Sequence, residues 1–143
     1  MDKLLKQHND NSIPYITAQE LAMPKTQVII LDSRELIEYE TSHLKNAIHV
    51  GFNHFKIDNI EKQIPNKDSK IVVYCSVGIR SESIGDSLKK AGYNYVENLY
   101  GGIFEWKNNH FPVYNSKEKE TDSIHTFNKV WSEWLKKGIK VYE

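Results

Sequence analysis

The chain has 143 residues, of which 39% are hydrophobic and 27% are charged, as in one globular domain with a core of its own. Its 19 basic and 19 acidic side chains balance, which excludes bulk attraction to nucleic acid or to an anionic membrane surface. No apolar stretch is long enough for a membrane span, and a single cysteine excludes an internal disulfide.

The first half of the chain alternates short helices with apolar strands. Residues 1–17 are polar and lack the apolar segment of a secretory signal, so we expect a cytoplasmic protein. A capping box at Thr17 and Glu20 predicts the start of a short helix. The run Gln27–Leu31 predicts a strand buried on both faces. A brief helix, a short strand and a weakly periodic helix are predicted next, at 35–40, 47–50 and 53–64.

In the second half of the chain, strands and helices again alternate, and the sequence patterns that predict them are clearer. Lys70–Tyr74 (KIVVY) predicts another buried strand, and apolar periodicity predicts a helix over Ile79–Ala91. A strand at Tyr95–Leu99 and a helix over residues 101–106 follow. Alternating strands and helices indicate an α/β sandwich around a mainly parallel sheet.

The C-terminal part has a different character. Residues 115–121 predict a charged linker, which separates a domain over residues 1–114 from an amphipathic terminal helix within residues 115–143. The helix is predicted from apolar residues at helical spacing, which are Ile124, Phe127, Trp131, Trp134 and Leu135. We expect this face to dock on its own domain, and a homodimer through the helix is the alternative.

The single cysteine, Cys75, ends the KIVVY strand, where ligands gather in open α/β sheets. The following helix presents free backbone N–H groups, and Gly78 permits a tight turn that points amides inward. Arg80 adds a permanent cation. Together these features favour a thiolate, so the loop is predicted to hold an anionic cysteine nucleophile.

These residues resemble the rhodanese sulfurtransferase family, and the resemblance covers about residues 15–114. Cys75–Ser81 resembles the active-site loop of that family. Three further motifs follow the family order, and they are Leu31–Glu35 with Glu38–Glu40, His43–Val50, and Asn98–Ile103 with Trp106 and Pro112.

The resemblance implies a three-layer α/β fold, with a five-stranded parallel sheet flanked by helices. It implies that Cys75 takes sulfur from a donor (thiosulfate, 3-mercaptopyruvate or a protein persulfide), holds it as a persulfide and passes it to a thiol or cyanide acceptor. The residues predicted to bind substrate are Ser76, Val77, Gly78, Ile79, Arg80 and Ser81. Asp32, Arg34 and His43 are predicted to give structural support, and neither a metal nor an organic cofactor is expected.

Two other functions fit the same residues. Dual-specificity phosphatases and some arsenate reductases also use a Cys-to-Arg loop, but that loop is one residue longer. A binding module of the same fold is the other alternative, although such modules generally lose the cysteine. Because Ser76 follows Cys75 where many thiosulfate-using members have a basic residue, we expect that thiosulfate is not the physiological donor.

Overall fold

A computed structural model describes residues 2–9, 13–23, 27–126 and 132–141. The helices are α1 (Asp2–His8), α2 (Ala18–Leu21), α3 (Leu36–Thr41), α4 (Ile57–Gln63), α5 (Arg80–Lys90) and α6 (Gly102–Asn108). The strands are β1 (Tyr15–Ile16), β2 (Ile29–Asp32), β3 (Ile48–His49), β4 (Lys70–Tyr74), β5 (Tyr95–Leu99), β6 (Val113–Tyr114), β7 (Glu120–Thr121), β8 (Ser123–His125) and β9 (Ile139–Val141). Among the described residues, no helix is both long enough and apolar enough to cross a bilayer.

Five strands form the central sheet in the order β1-β5-β4-β2-β3, and each neighbouring pair is parallel. The predicted parallel sheet is therefore confirmed. Asp32 at the end of β2 is in register with Tyr74 at the end of β4, and Asn98 on β5 is in register with Val73. The carboxyl ends of these strands meet at one edge of the sheet, so the loops after β2 and β4 are neighbours.

Alternate residues of β4 enter hydrophobic cores on opposite faces of the sheet. Val72 and Tyr74 belong to the core that includes α2 and α6. Ile71 and Val73 belong to the core that includes α4 and α5. All four side chains are at most 1% exposed, because helices cover both faces of this central strand. The fold therefore has three layers, as the family resemblance implies.

A buried polar cluster joins the ends of β2 and β4. The guanidinium of Arg34 lies 2.7 Å from the Asp32 carboxylate and donates to the Ser42 carbonyl at 2.6 Å. The Tyr74 hydroxyl donates to the same carboxylate at 2.6 Å. Burial and the Asp32 charge raise the pKa of Tyr74 well above its ordinary value, so the phenol stays a donor. Asp32 and Arg34, for which a supporting role is predicted, therefore lie in a buried cluster that joins two strand ends.

The N-terminal elements were not predicted. α1 and β1 precede the capping box at Thr17, which the structure confirms through reciprocal hydrogen bonds with Glu20. β1 has two residues and α1 has seven, which is too short for hydrophobic periodicity to identify them.

The C-terminal segment differs from the predicted linker and helix. β7, within the predicted linker, pairs antiparallel with β6, so the charged residues turn back on the domain. Ile124 was predicted to be helical but lies in β8, which pairs in parallel with β9. Two other residues of the predicted helix, Phe127 and Trp131, lie outside the described residues. Apolar spacing in a short segment does not distinguish a helix from short strands that return to the same core.

The docking of this segment on its own domain is confirmed. Ile124 and Leu135 are buried in the core that includes α6, and Trp134 packs against that core. Lys107 on α6 also pairs with Asp122 at 2.6 Å. The alternative, a homodimer through this segment, stays a prediction, but these two buried side chains are already used within the chain.

We predict that Asp32→Ala lowers the free energy of unfolding by about 3–5 kcal/mol, because the Arg34 charge stays buried without its carboxylate. Urea denaturation measures this change. The matched control, Asp86→Ala, removes a solvent-exposed pair with Lys90 and costs at most about 0.5 kcal/mol. Equal losses in the two variants would contradict a supporting role for the cluster.

Candidate active site

Cys75 follows the last residue of β4, at the carboxyl edge of the sheet, and α5 begins at Arg80. We call residues 75–79 the cysteine loop. Gly78 has a φ of +116°, a conformation that residues with a side chain rarely adopt. The structure therefore places the cysteine and the glycine turn between strand and helix, as the sequence predicted.

The sulfur of Cys75 has two polar neighbours. The N–H group of Gly78 donates to Sγ at 3.1 Å, and the Ser81 hydroxyl oxygen lies 3.5 Å from Sγ. Within the described part of the chain, Gly78 supplies the loop amide that reaches the sulfur. Cys75 itself is fully buried. An amide directed at the sulfur stabilises negative charge on it.

The first turn of α6 binds the loop from outside. The N–H of Ile103 donates to the Cys75 carbonyl at 2.9 Å, and the N–H of Phe104 donates to the Ser76 carbonyl at 3.1 Å. First-turn amides have no partner within their own helix, so they are available for these bonds. Gly102 permits the close approach, because a Cβ there would lie 2.3 Å from the Cys75 carbonyl oxygen. With these carbonyls held outward, the loop directs the Gly78 amide at the sulfur.

Asn98 on β5 fixes the far end of the loop. Its amide nitrogen donates to the Gly78 carbonyl at 2.9 Å, and its amide oxygen accepts from the Ser81 hydroxyl at 2.6 Å. The side chain is fully buried. Ser81 is therefore close to the sulfur but donates to Asn98 in this structure.

Arg80, directly after the cysteine loop, has a carboxylate partner on α3. Its guanidinium makes two hydrogen bonds of 2.8 Å to the Glu38 carboxylate and one of 2.9 Å to the Ser76 hydroxyl. Arg80 is predicted to supply a cation to the bound anion and Ser76 to bind substrate; both stay predictions, and in this structure both side chains take part in the cluster with Glu38. The physical reason is burial, because a buried guanidinium requires a carboxylate partner.

Glu38 stays ionised although it is buried. Burial by itself would raise the pKa of this carboxyl, but hydrogen bonds and attraction from Arg80, with the charge of Arg34, hold it below its ordinary value. Burial by itself would lower the pKa of Arg80. The hydrogen bonds to Glu38, together with electrostatic attraction to Cys75 and Glu38, raise this pKa above its ordinary value. The pair is charged near neutral pH and contributes little net charge to the loop.

The apolar side chains of the loop face the core. Val77 is fully buried in the core that includes α6, and Ile79 packs against that core. Both were predicted to contact substrate. That prediction concerns their backbone amides and stays a prediction, while their side chains anchor the loop in the core.

His43, for which a supporting role is predicted, is buried next to Tyr39 of α3. It is 1% exposed, and its ring nitrogens lie 2.8 Å from the Tyr39 carbonyl oxygen and 3.2 Å from a Glu118 carboxylate oxygen. Its ring also stacks on that of Tyr39, with centroids 4.0 Å apart. His43 thereby joins α3 to the turn between β6 and β7.

Sequence reasoning missed several residues that shape the site. Glu38 and Asn98 lie within the family motifs, where a polar side chain on a buried element is a detectable signal. Leu5 and Asn9 contact Gly78 from the N-terminal segment, and no motif marked them.

The chain matches known proteins over the region that carries this site. The Rhodanese-like domain family model matches residues 17–109. Over 97 residues the chain is 38% identical to a tRNA uridine(34) hydroxylase from Onion yellows phytoplasma (strain OY-M), covering 64% of this chain and 32% of that protein. It is 33% identical over 98 residues to the thiosulfate sulfurtransferase GlpE of Coxiella burnetii, covering 68% of this chain and 88% of that protein. The chain therefore spans about a third of the length of the hydroxylases it matches.

Solved structures share the fold. A rhodanese-related protein from Thermoplasma volcanium has 27% identity and a TM-score of 0.58, over 71% of this chain and 97% of that one. A thiosulfate sulfurtransferase from Pseudomonas aeruginosa has 20% identity and a TM-score of 0.68, over 93% of this chain and 25% of that one. At 20% identity the second likeness concerns the fold alone.

We predict a pH-dependent effect of Glu38→Gln on stability. Because the folded pKa of Glu38 is lowered, its contribution is complete above the unfolded value of about 4.3 and is lost as the pH falls through the folded pKa. The native chain is therefore more stable than the variant by about 3 kcal/mol at neutral pH, and the difference shrinks in acid. Glu97→Gln is the control of opposite sign, because partial burial raises the pKa of Glu97. Parallel pH profiles for the two variants in urea denaturation would contradict the assignment.

We predict that Gly102→Ala damages the cysteine loop specifically. Gly102 has a φ of +58°, and an added Cβ would lie 2.3 Å and 2.5 Å from the Cys75 and Ser76 carbonyl oxygens. Gly92→Ala is the matched control, because Gly92 has a φ of +102° but nothing within 4 Å of the added Cβ. Both variants lose about 1–2 kcal/mol from backbone strain. Only Gly102→Ala should change the alkylation rate of Cys75, and equal rates in the two variants would refute the contact.

Proposed function

The chain belongs to the rhodanese-like domain family, and we propose that it is a sulfurtransferase that carries sulfane sulfur as a persulfide on Cys75. The observation that carries the proposal is the 3.1 Å hydrogen bond from the Gly78 amide to Sγ, at the end of β4. The GlpE relative, which is named as a thiosulfate sulfurtransferase and matched over 88% of its length, supports the same reaction class.

The reaction has two displacement steps without net oxidation. The Cys75 thiolate attacks the sulfane sulfur of the donor, so a new S–S bond forms while the bond from that sulfur to the leaving group breaks. The leaving group departs with the electron pair, as sulfite from thiosulfate or as a thiolate from a persulfide. A thiol acceptor, as its thiolate, or cyanide then attacks the outer sulfur, and Cys75 leaves as a thiolate. The Gly78 amide stabilises the sulfur anion at both stages.

We propose a persulfide as the donor in preference to thiosulfate. Thiosulfate carries two negative charges, and the charge of Arg80 is balanced by Glu38 at 2.8 Å. A persulfide carries at most one negative charge at the reacting group, so it requires less positive charge from the loop. The apolar side chains of Val77 and Ile79 add no positive charge to the loop.

Phosphoryl transfer fits this site less well. In phosphate-binding sites that use an arginine, the guanidinium donates directly to the phosphate oxygens. The Arg80 guanidinium instead donates to both Glu38 oxygens and to Ser76. The shorter loop, with four residues between Cys75 and Arg80, also favours a sulfur atom over a tetrahedral oxyanion.

An activity on tRNA, as the name of the phytoplasma relative states, is the second candidate. The observation in its favour is 38% identity over 97 residues. This chain matches only 32% of that protein, and its 19 basic and 19 acidic side chains leave no excess positive charge for an RNA backbone. Sulfur transfer is therefore the better-supported function.

We predict that the chain gains the mass of one sulfur atom when incubated with thiosulfate, 3-mercaptopyruvate or glutathione persulfide. Intact-protein mass spectrometry measures the gain, and cyanide or a thiol should reverse it. Because Cys75 is the only cysteine, Cys75→Ser is a complete control and should gain nothing. Absence of loading with all three donors and with a persulfide carried by a protein, or loading of Cys75→Ser, would overturn the proposal.

A further inference from the structure

The N-terminal helix α1 lies against the cysteine loop although it is outside the residues matched by the family model. Leu5 is 3% exposed, and its Cδ2 atom lies 3.4 Å from the position that a Cβ on Gly78 would occupy. Leu4 packs beside it against the core that contains Val77. α1 therefore packs directly on the loop that holds the nucleophile.

Two polar contacts attach this segment around the loop. The Asn9 amide nitrogen donates to the Gly78 carbonyl at 3.0 Å and to the Tyr15 hydroxyl at 2.8 Å. At the other end of α1, the Asp2 carboxylate accepts a hydrogen bond from the Tyr100 hydroxyl. Tyr15 and Tyr100 pack edge to face, so the two anchoring residues are themselves in contact.

With α1 in place, the nucleophile is inaccessible. Cys75, Ser76 and Val77 are all 0% exposed. A displacement step requires the donor sulfur within about 3–3.5 Å of Sγ, in line with the bond that breaks. Part of the surroundings of the loop must therefore move before any donor reacts.

α1 is the surrounding element that is held least firmly. Its seven residues are fewer than the roughly 12–15 that sustain a helix in isolation, so its position depends on its side-chain contacts. The buried Leu5 belongs to neither of the two main cores, whereas β4, β5, α5 and α6 all contribute side chains to them. Segments with few core contacts open at low free-energy cost while the rest of the domain stays folded.

We propose that α1 is a displaceable cover of the active site, and that Leu5 and Asn9 determine which sulfur donors and acceptors reach Cys75. The closed cover restricts small reagents to the fraction of time in which α1 is open. A donor that displaces α1 by binding to the same apolar face gains access without that restriction, which favours a persulfide carried by a protein. The donor selection rests on the proposed sulfur transfer, but the covering role does not.

The first test is the rate of Cys75 alkylation by iodoacetamide in the full chain. We expect Leu5→Ala to raise the rate at least about tenfold, because it removes the main apolar contact that holds α1 closed. Asn9→Ala should raise the rate about three- to tenfold, because it removes the hydrogen bond to Gly78. Asn9→Ala also keeps the test decisive should Leu5→Ala fail to fold.

Leu21→Ala is the matched control, because Leu21 is a buried leucine on α2 in the core that includes α6. It destabilises the whole domain but leaves the contacts of Leu5 and Asn9 with Gly78 in place, so the alkylation rate should stay within about twofold of the native rate. Native alkylation rates in Leu5→Ala and Asn9→Ala, or an equal rise in Leu21→Ala, would overturn the covering role.

The second test measures sulfur loading of the same variants from thiosulfate and from a protein persulfide. We expect Leu5→Ala to accelerate loading from thiosulfate at least about tenfold, and loading from the protein persulfide by less. Equal acceleration would overturn donor selection by α1. Faster alkylation without any sulfur loading would refute the proposed sulfur transfer and leave the cover supported.

Discussion

The hydrogen bonds from α6 to the cysteine loop are the constraint on which the site depends. In a loop between a strand and a helix, either the backbone N–H groups or the carbonyl oxygens can face inward. Inward N–H groups stabilise an anion, whereas inward carbonyl oxygens repel it. The N–H groups of Ile103 and Phe104 bind the carbonyls of Cys75 and Ser76, and Asn98 binds a third at the far end. The inward amide of Gly78 is a consequence of those outward bonds.

Two buried ion pairs connect β2 and α3 to this loop. Asp32 and Arg34 join the end of β2 to Tyr74, the residue before Cys75, while Glu38 on α3 binds Arg80 after the loop. The pairs therefore brace the two ends of the loop from the same side. Each pair is close to neutral overall, so charge on the sulfur is stabilised by the Gly78 amide together with the attraction that remains from Arg80. This arrangement suits a singly charged sulfur better than a multiply charged oxyanion.

The elements around Cys75 differ in how strongly they are packed into the hydrophobic cores. The strands and helices that carry the loop share two cores, in which residues of β4 alternate between the faces. The buried Leu5 of α1 belongs to neither core. This segment is held mainly by side-chain contacts and by the hydrogen bond from Asn9 to the Gly78 carbonyl. The cysteine loop therefore keeps a fixed geometry around the sulfur, while displacement of α1 controls which donors and acceptors reach it. The C-terminal segment packs on α6, so it supports the rigid part.

Features that depend on residues close together in the chain follow directly from the amino-acid order. KIVVY specified a strand buried on both faces, Thr17 and Glu20 specified a helix start, and Cys75 with Gly78 specified a turn that presents a thiol. Tertiary structure decided the rest, because those contacts join residues that local patterns do not connect. Arg80 meets Glu38 across 42 positions, and this pairing connects the start of α5 to α3. Ile124 joins a strand because β9 lies beside it, and Leu5 covers the loop because the fold brings the first helix to Gly78.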